Sequence, residues 1–377
     1  MPNINIPAVQ AAMKQNGLSG RKLAERLEVS PQTIANWLSS SAFPHPAQLL
    51  KLALNLRISF EELVLQSTPS ADEPRVAARA RMNRVLSDAT LAELKGMGKL
   101  LEQLAPYLPF DTLESPPRLV SPSLDRDYLQ QVSKKVRSEI GLNDEEPIKF
   151  QALVKKFSAH NAVLIPVLWG KKEGHENAIH VFLPKSGTTW VYLNLDTYLP
   201  DFKFWMAHEL GHVYSPSLSG SEAEKFADAF AGALLFPRTI AAKAYNQVST
   251  EKSPTAKIRA LNSFANKYGI SSYSVYKEAN SFALSNKYSE IKINSSLLHA
   301  GRHNSNQELG TLSDLLWKGK VPTPLHYVND VSREFKTVFF ETLTACIEEK
   351  KLSASFVQAM LDIPLLDAKA LYSELAL

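Results

Sequence analysis

Apolar residues recur at spacings of three and four along most of the chain, and two proline-bearing stretches and the interval 162–195 break that rhythm. In the first block the spacing predicts helices over 7–16, 20–28, 31–39, 46–56 and 59–66. Gly17 fits a helix stop, Ser19 and Ser30 fit N-caps, and Pro31 fits a first helical turn. Residues 67–74 (STPSADEP) are polar and proline-bearing and read as a linker. Residues 75–105 look helical, with Leu91, Leu94, Leu101 and Leu104 at helical spacing and Leu86 ahead of them on the same face. A second, proline-rich linker covers 109–124. Helical patterns resume at 125–140 and 147–159. Three short β-branched and aromatic runs follow at 162–168, 177–183 and 188–195, and the last two read as a hairpin. Helices are predicted at 202–214 and 221–236, the second ending at Pro237, and 240–377 is mostly helical in pattern.

The expected fold is mainly α and multidomain. An all-α head spans 1–66, and a linker with a helical segment spans 67–124. An α+β domain with a small sheet spans 125–280, and a helical C-terminal region without an assigned role spans 281–377.

Composition narrows the setting. With 45% hydrophobic and 21% charged residues the chain is globular in type. No apolar run reaches the roughly 18 residues of a membrane helix. The first residues lack the basic start and long apolar core of a signal peptide. A cytoplasmic protein with no membrane partner is expected. Cys346 is the only cysteine, so no intramolecular disulfide can form; in its helical run it reads as a small buried hydrophobe. The net charge of +4 permits nucleic-acid binding without arguing for it.

The candidate chemistry lies at 208–212, His-Glu-Leu-Gly-His. On a helix, positions i and i+4 share a face, so His208 and His212 can grip one metal ion through neutral imidazoles. Glu209, one residue on, cannot join them as a close ligand but can take a proton from metal-bound water. A catalytic zinc needs a third ligand and an open position. After the turn residues 215–221 (SPSLSGS), Glu224 is the candidate third ligand, and Asp228, one turn on, can accept the other ring N–H of a ligand histidine. One Zn2+ per chain is expected. For an oxyanion-holding group the sequence offers His175, His180, Tyr192 and Tyr214 without choosing among them.

The strings WMAHELGH and EKFADAFAGALLFP resemble the ImmA/IrrE family of bacterial and phage metallopeptidases. The resemblance covers about 125–280, including the strand ending at Asn194 and the segment 264–276. It implies a gluzincin-like core with His208, His212 and Glu224 as zinc ligands and Glu209 as the catalytic glutamate. Members cleave repressor proteins, so the resemblance also implies a repressor-type or partner protein as substrate.

The segment GRKLAERLEVSPQTIANWL reads as helix, turn, helix, with Leu23, Ala24, Leu27, Val29, Ile34, Trp37 and Leu38 packing the two together. With the leucine-rich run at 46–56 it resembles the XRE (lambda-repressor-like) family. Such domains read double-stranded DNA with the second helix in the major groove. Gln32, Thr33 and Asn36 are the candidate base contacts, and Arg21, Lys22 and Ser30 the candidate phosphate contacts. The basic run 75–84 could also track phosphates, and the leucines at 86–104 could supply a homodimer seam or pack on the catalytic domain.

Two functions stand against each other. One is a DNA-binding regulatory zinc metallopeptidase that cuts a repressor-type or partner protein, or itself, to control mobile-element, phage-defence or stress genes. The other is a repressor or antitoxin-like factor whose peptidase fold serves as a sensor or partner dock.

Overall fold

The computed structural model of the chain describes residues 3–39, 42, 44–65, 73–78, 88–109, 119–170, 177–294, 296–298 and 309–376. They form two units, Met1–Glu73 and Pro74–Leu377.

In the first unit, strand β1 (Asn3–Ile4) leads into helices α1 (Ile6–Gln15), α2 (Gly20–Leu27), α3 (Pro31–Leu38), α4 (Pro46–Leu56) and α5 (Phe60–Leu63). The expected caps form: Ser19 accepts from the Lys22 N–H at 3.3 Å and Ser30 from the Thr33 N–H at 3.1 Å. Gly17 closes α1 in the left-handed region, at φ +62°. The apolar faces of the helices meet in one core built from Leu23, Leu27, Ile34, Trp37, Leu52 and Leu56. The helix expected over 59–66 is shorter than its pattern. It stops at Leu63, and β2 (Val64–Leu65) pairs antiparallel with β1. That pairing satisfies the backbone at both ends of the unit, which a sequence window cannot foresee.

The second unit is built around a four-stranded sheet, order β3-β5-β6-β4. Its elements in chain order are β3 (Arg75–Ala78), α6 (Asp88–Glu102), α7 (Arg126–Glu139), α8 (Phe150–Ala159), β4 (Ala162–Val167), β5 (Ala178–Leu183), β6 (Thr188–Asn194), α9 (Leu199–Tyr214), α10 (Gly220–Leu235), α11 (Arg238–Thr250), α12 (Pro254–Tyr268) and α13 (Ser272–Ser285). Further helices lie at Leu312–Trp317, Pro324–Phe335, Phe339–Lys350, Ala354–Leu361 and Leu365–Leu375. The predicted hairpin is β5–β6, antiparallel, while β4 runs parallel to β6. Strands β4 and β6 are buried at every position, so both faces of the sheet are covered. Helix α9 packs beneath β5 and β6. The C-terminal helices bond to the same sheet region: the Tyr192 hydroxyl donates to the Met360 carbonyl at 2.9 Å and the Trp169 indole N–H to the Leu361 carbonyl at 2.7 Å. The region 281–377, given no role from sequence, is therefore part of the body that holds the sheet.

One further expectation is corrected, and one left open is decided. Residues 75–78, read as the start of a helix beyond a linker, form an edge strand on β5, in register Val76↔Val181 and Ala77↔His180. The run has no alternating apolar pattern to betray it; short, charged edge strands rarely do. The rest of the basic run, 79–84, lies outside the described residues. For the leucines two alternatives stood open, a homodimer seam or packing on the second domain; Leu94, Leu101 and Leu104 are buried in the core of that unit, the second alternative, and Leu86 lies outside the described residues. Among the described residues no helix is long and apolar enough to cross a membrane.

Candidate metal centre and nucleic-acid interface

Helix α9 begins with Pro200 in its first turn and is buried along nearly its whole length. A helix apolar all round belongs inside, and here it carries two histidines and a glutamate inside with it. His208 is 1% exposed, Glu209 3% and His212 6%. Polar groups so buried need partners.

The partners come from α10, which packs tightly on α9. The contact is centred on Gly211: a Cβ there would stand 2.9 Å from the Ala227 Cα. On α9, His208, Gly211 and His212 share a face at i, i+3, i+4; on α10, Glu224, Ala227 and Asp228 do the same. Close approach at Gly211–Ala227 thus presses the two polar faces together.

The result is a convergent set. The His208 and His212 Nε2 atoms lie 3.1 Å apart. Glu224 offers one oxygen to each, Oε2 to His208 and Oε1 to His212, both at 3.4 Å. His208 Nδ1 lies 3.0 Å from Asp228 Oδ1. A carboxylate accepts, so this bond puts the ring proton on Nδ1 and leaves Nε2 as a lone pair facing the cluster. One ligand atom each from His208, His212 and Glu224 fall within 4.8 Å of one another. Atoms gathered so closely need a hydrogen or a cation between them, and His212 can supply a hydrogen from Nε2 in one of its tautomers. A proton can fill that role: burial pulls His208 down, but its bonds to Asp228 and Glu224 outweigh burial and push it up to about 9. At Glu224 burial works the other way, but bonds to His208 and His212 outweigh it and hold the carboxyl well below the usual range. His212 is lowered by burial, against its bond to Glu224. Two imidazole nitrogens and a carboxylate are a donor set that could hold a divalent ion.

Glu209 is buried next to that triad, on the same helix as the two histidines. Burial pushes its carboxyl up to about 8, His208 opposing and Glu224 adding to the rise. Its Oε2 makes no hydrogen bond and lies 3.8 Å from His180 Nδ1, which is also unpartnered. His180 stands on β5, and its ring centroid is 5.5 Å from that of His212. Burial, with His212 and His208 beside it, keeps His180 well below the ordinary histidine value, hence neutral. Of the four oxyanion candidates, His180 is brought to the site. Tyr192 is committed to Met360, and the Tyr214 hydroxyl pairs with His160 Nε2 at 3.0 Å. His175 lies outside the described residues.

In the first unit α2 and α3 pack as consecutive helices, with Glu28 in the left-handed region at φ +56° making the turn between them. Arg21, Lys22, Ser30 and Gln32 are exposed, and Thr33 and Asn36 half-buried. Gln32 donates its side-chain amide to Asn36 Oδ1 at 3.0 Å, one turn along α3. Ser30 and Thr33 bond through their hydroxyls at 2.8 Å, so Ser30 is first a helix cap.

Residues 9–63 match the family described as helix-turn-helix, and the first unit carries an XRE-type domain of that kind. No curated protein and no solved structure matches the chain.

Proposed function

We propose that this chain is a DNA-binding regulator whose second unit is a zinc-dependent endopeptidase. It acts on a repressor-type or partner protein, this chain included, and so controls mobile-element, phage-defence or stress genes. The DNA-binding, regulatory half rests on the helix-turn-helix match. The peptidase half rests on one observation above all: His208, His212 and Glu224 converge, and the buried Glu209 next to them has an oxygen, Oε2, that makes no hydrogen bond.

His208, His212 and Glu224 would hold the ion, with Asp228 fixing the His208 tautomer. Bound zinc supplies a Lewis acid and a water of lowered pKa. Glu209 takes a proton from the attacking water and delivers it to the leaving amide nitrogen. The C–O bond forms first by addition to the carbonyl, and the C–N bond breaks once the nitrogen has taken the proton, giving a carboxylate and an amine. His180, neutral and unpartnered at Nδ1, would steady the carbonyl oxygen.

The test is direct. Purified chain is loaded with zinc, its stoichiometry measured, and hydrolysis of quenched fluorescent peptides followed with and without chelator. One zinc per chain with chelator-sensitive hydrolysis is expected; failure to bind zinc sinks the reading. Asp228→Asn is expected to weaken zinc binding about 10- to 100-fold, because the His208 ring loses its orienting partner. An unchanged affinity, read by competition with a chromophoric chelator, would contradict the role given to Asp228.

On DNA, the chain is expected to bind a two-fold site as a homodimer through α3. Gln32→Ala or Asn36→Ala should cost about 1–3 kcal/mol and relax the preference at one base pair. Lys22→Ala should instead weaken all sequences alike and reduce the salt slope by about 1. Binding isotherms over a range of salt separate the two.

A further inference from the structure

Strand β5 carries His180 to within 3.8 Å of the Glu209 carboxylate, so its outer edge borders the candidate site. Successive strand residues face opposite sides. His180 meets α9, and Val181 meets α6, where its Cγ1 lies 3.5 Å from the Cβ position of Gly98. The outer edge of β5 therefore runs between the two layers, beside the reacting groups. A peptidase must hold its substrate extended to present a carbonyl, and an open sheet edge holds an extended chain through its backbone groups.

That edge is taken. Residues Arg75–Ala78 pair antiparallel along it, with Ala77 opposite His180. Neighbouring strands lie about 4.8 Å apart, so the Ala77 backbone passes one strand spacing from the residue whose ring faces Glu209. The segment enters over Pro74, which is buried against α6: a Cβ on Gly98 would stand 2.7 Å from the Pro74 Cβ. The hold is otherwise slight. The strand has four residues, Arg75 is exposed and Val76 half-buried. Short strands with few apolar contacts open first, and alanine and arginine add little strand preference.

We propose that the β5 edge is the peptide-binding edge of this site and that residues 74–78, just after the DNA-binding unit, are its resident occupant. An incoming peptide then binds by displacing β3. This rests on the peptidase reading for the site's purpose, but the pairing can be tested without any hydrolysis.

The test uses the full chain carrying Glu209→Gln, without added metal. The probe is a fluorescein-labelled peptide of residues 75–80 (RVAARA), which lacks Pro74 and so does not need the seat at Gly98, with affinity read by anisotropy. In one variant β3 is replaced (Arg75→Gly, Val76→Ser, Ala77→Gly, Ala78→Ser). In a second, Gly98→Val crowds Pro74 and leaves β3 itself intact, which covers the case where the first fails to fold. Both are expected to bind the probe about tenfold or more tightly than the parent. Amide exchange over 178–183 should quicken in each variant and slow again when the probe is added. Equal affinities, or no slowing at 178–183 on binding, would overturn the proposal. If the parent, with Glu209 restored, hydrolyses peptides and replacing β3 leaves that rate unchanged, the proposal falls while the peptidase reading stands. If no hydrolysis is seen but the probe binds β5 as expected, the peptidase reading falls and the edge assignment stands.

Discussion

Glu209→Gln is expected to abolish peptide hydrolysis, by about a thousandfold or more, while leaving zinc content unchanged. The substitution conserves shape in a site where the side chain is 3% exposed, so packing with α10 and β5 should persist. What it removes is a base. General acid–base catalysis contributes about 10²- to 10⁴-fold, and here one carboxylate serves both the water and the leaving amine. Gln cannot take the proton at either stage. Zinc should stay because the converging ligand atoms belong to His208, His212 and Glu224. Zinc per chain by mass spectrometry, alongside peptide turnover, checks both halves. Retained turnover would strip Glu209 of its role; lost zinc would make it a ligand. The same variant separates the two functions weighed from sequence. If regulation in cells survives it unchanged, the second unit works as a sensor and catalysis is dispensable.

Gly211→Ala should be nearly as damaging, although it leaves the His-Glu-x-x-His spacing intact. The new Cβ would stand 2.9 Å from the Ala227 Cα and 3.2 Å from a ring carbon of Phe230. Backbone cannot yield as a flexible side chain can, so α9 and α10 must separate. Overpacking of this kind costs about 1–3 kcal/mol. The larger effect is on the site, since those helices carry opposite halves of the ligand set. Misplacement by about 1 Å costs on the order of 10²-fold in rate, and zinc affinity should fall with it. Thermal unfolding and zinc titration measure the two effects separately. Wild-type affinity in the variant would show that the close contact does not set the ligand geometry.

The clustering of His208, His212, Glu224 and Asp228 was legible because its geometry is local. His208 and His212 are one helical turn apart, and Glu224 and Asp228 follow after a single turn of chain. The head was legible for a similar reason: its caps and helix spacings are local signals, and Ser19, Ser30 and Gly17 sit where they were read. The rest depends on contacts between distant segments. His180 precedes the motif by 28 positions and joins it only because the β5–β6 hairpin lies over α9. Its burial as a polar residue in an apolar strand was the available hint. Strand β3 exists only as a partner of β5, and nothing in its four residues announces a strand. Tyr192 and Tyr214 looked like candidates by nearness in sequence, but their hydroxyls are committed to Met360 and His160.

The edge position of β3 has a consequence for any cut made in the chain. Residues 79–87 join β3 to α6, so scission there would sever the backbone without separating the pieces. The DNA-binding fragment would still be held by one four-residue strand and the Pro74 seat. What had been a tether of high effective concentration would become an ordinary bimolecular complex. Release would then depend on dilution, and a nicked molecule in a crowded cell could recapture its own head before it lost it.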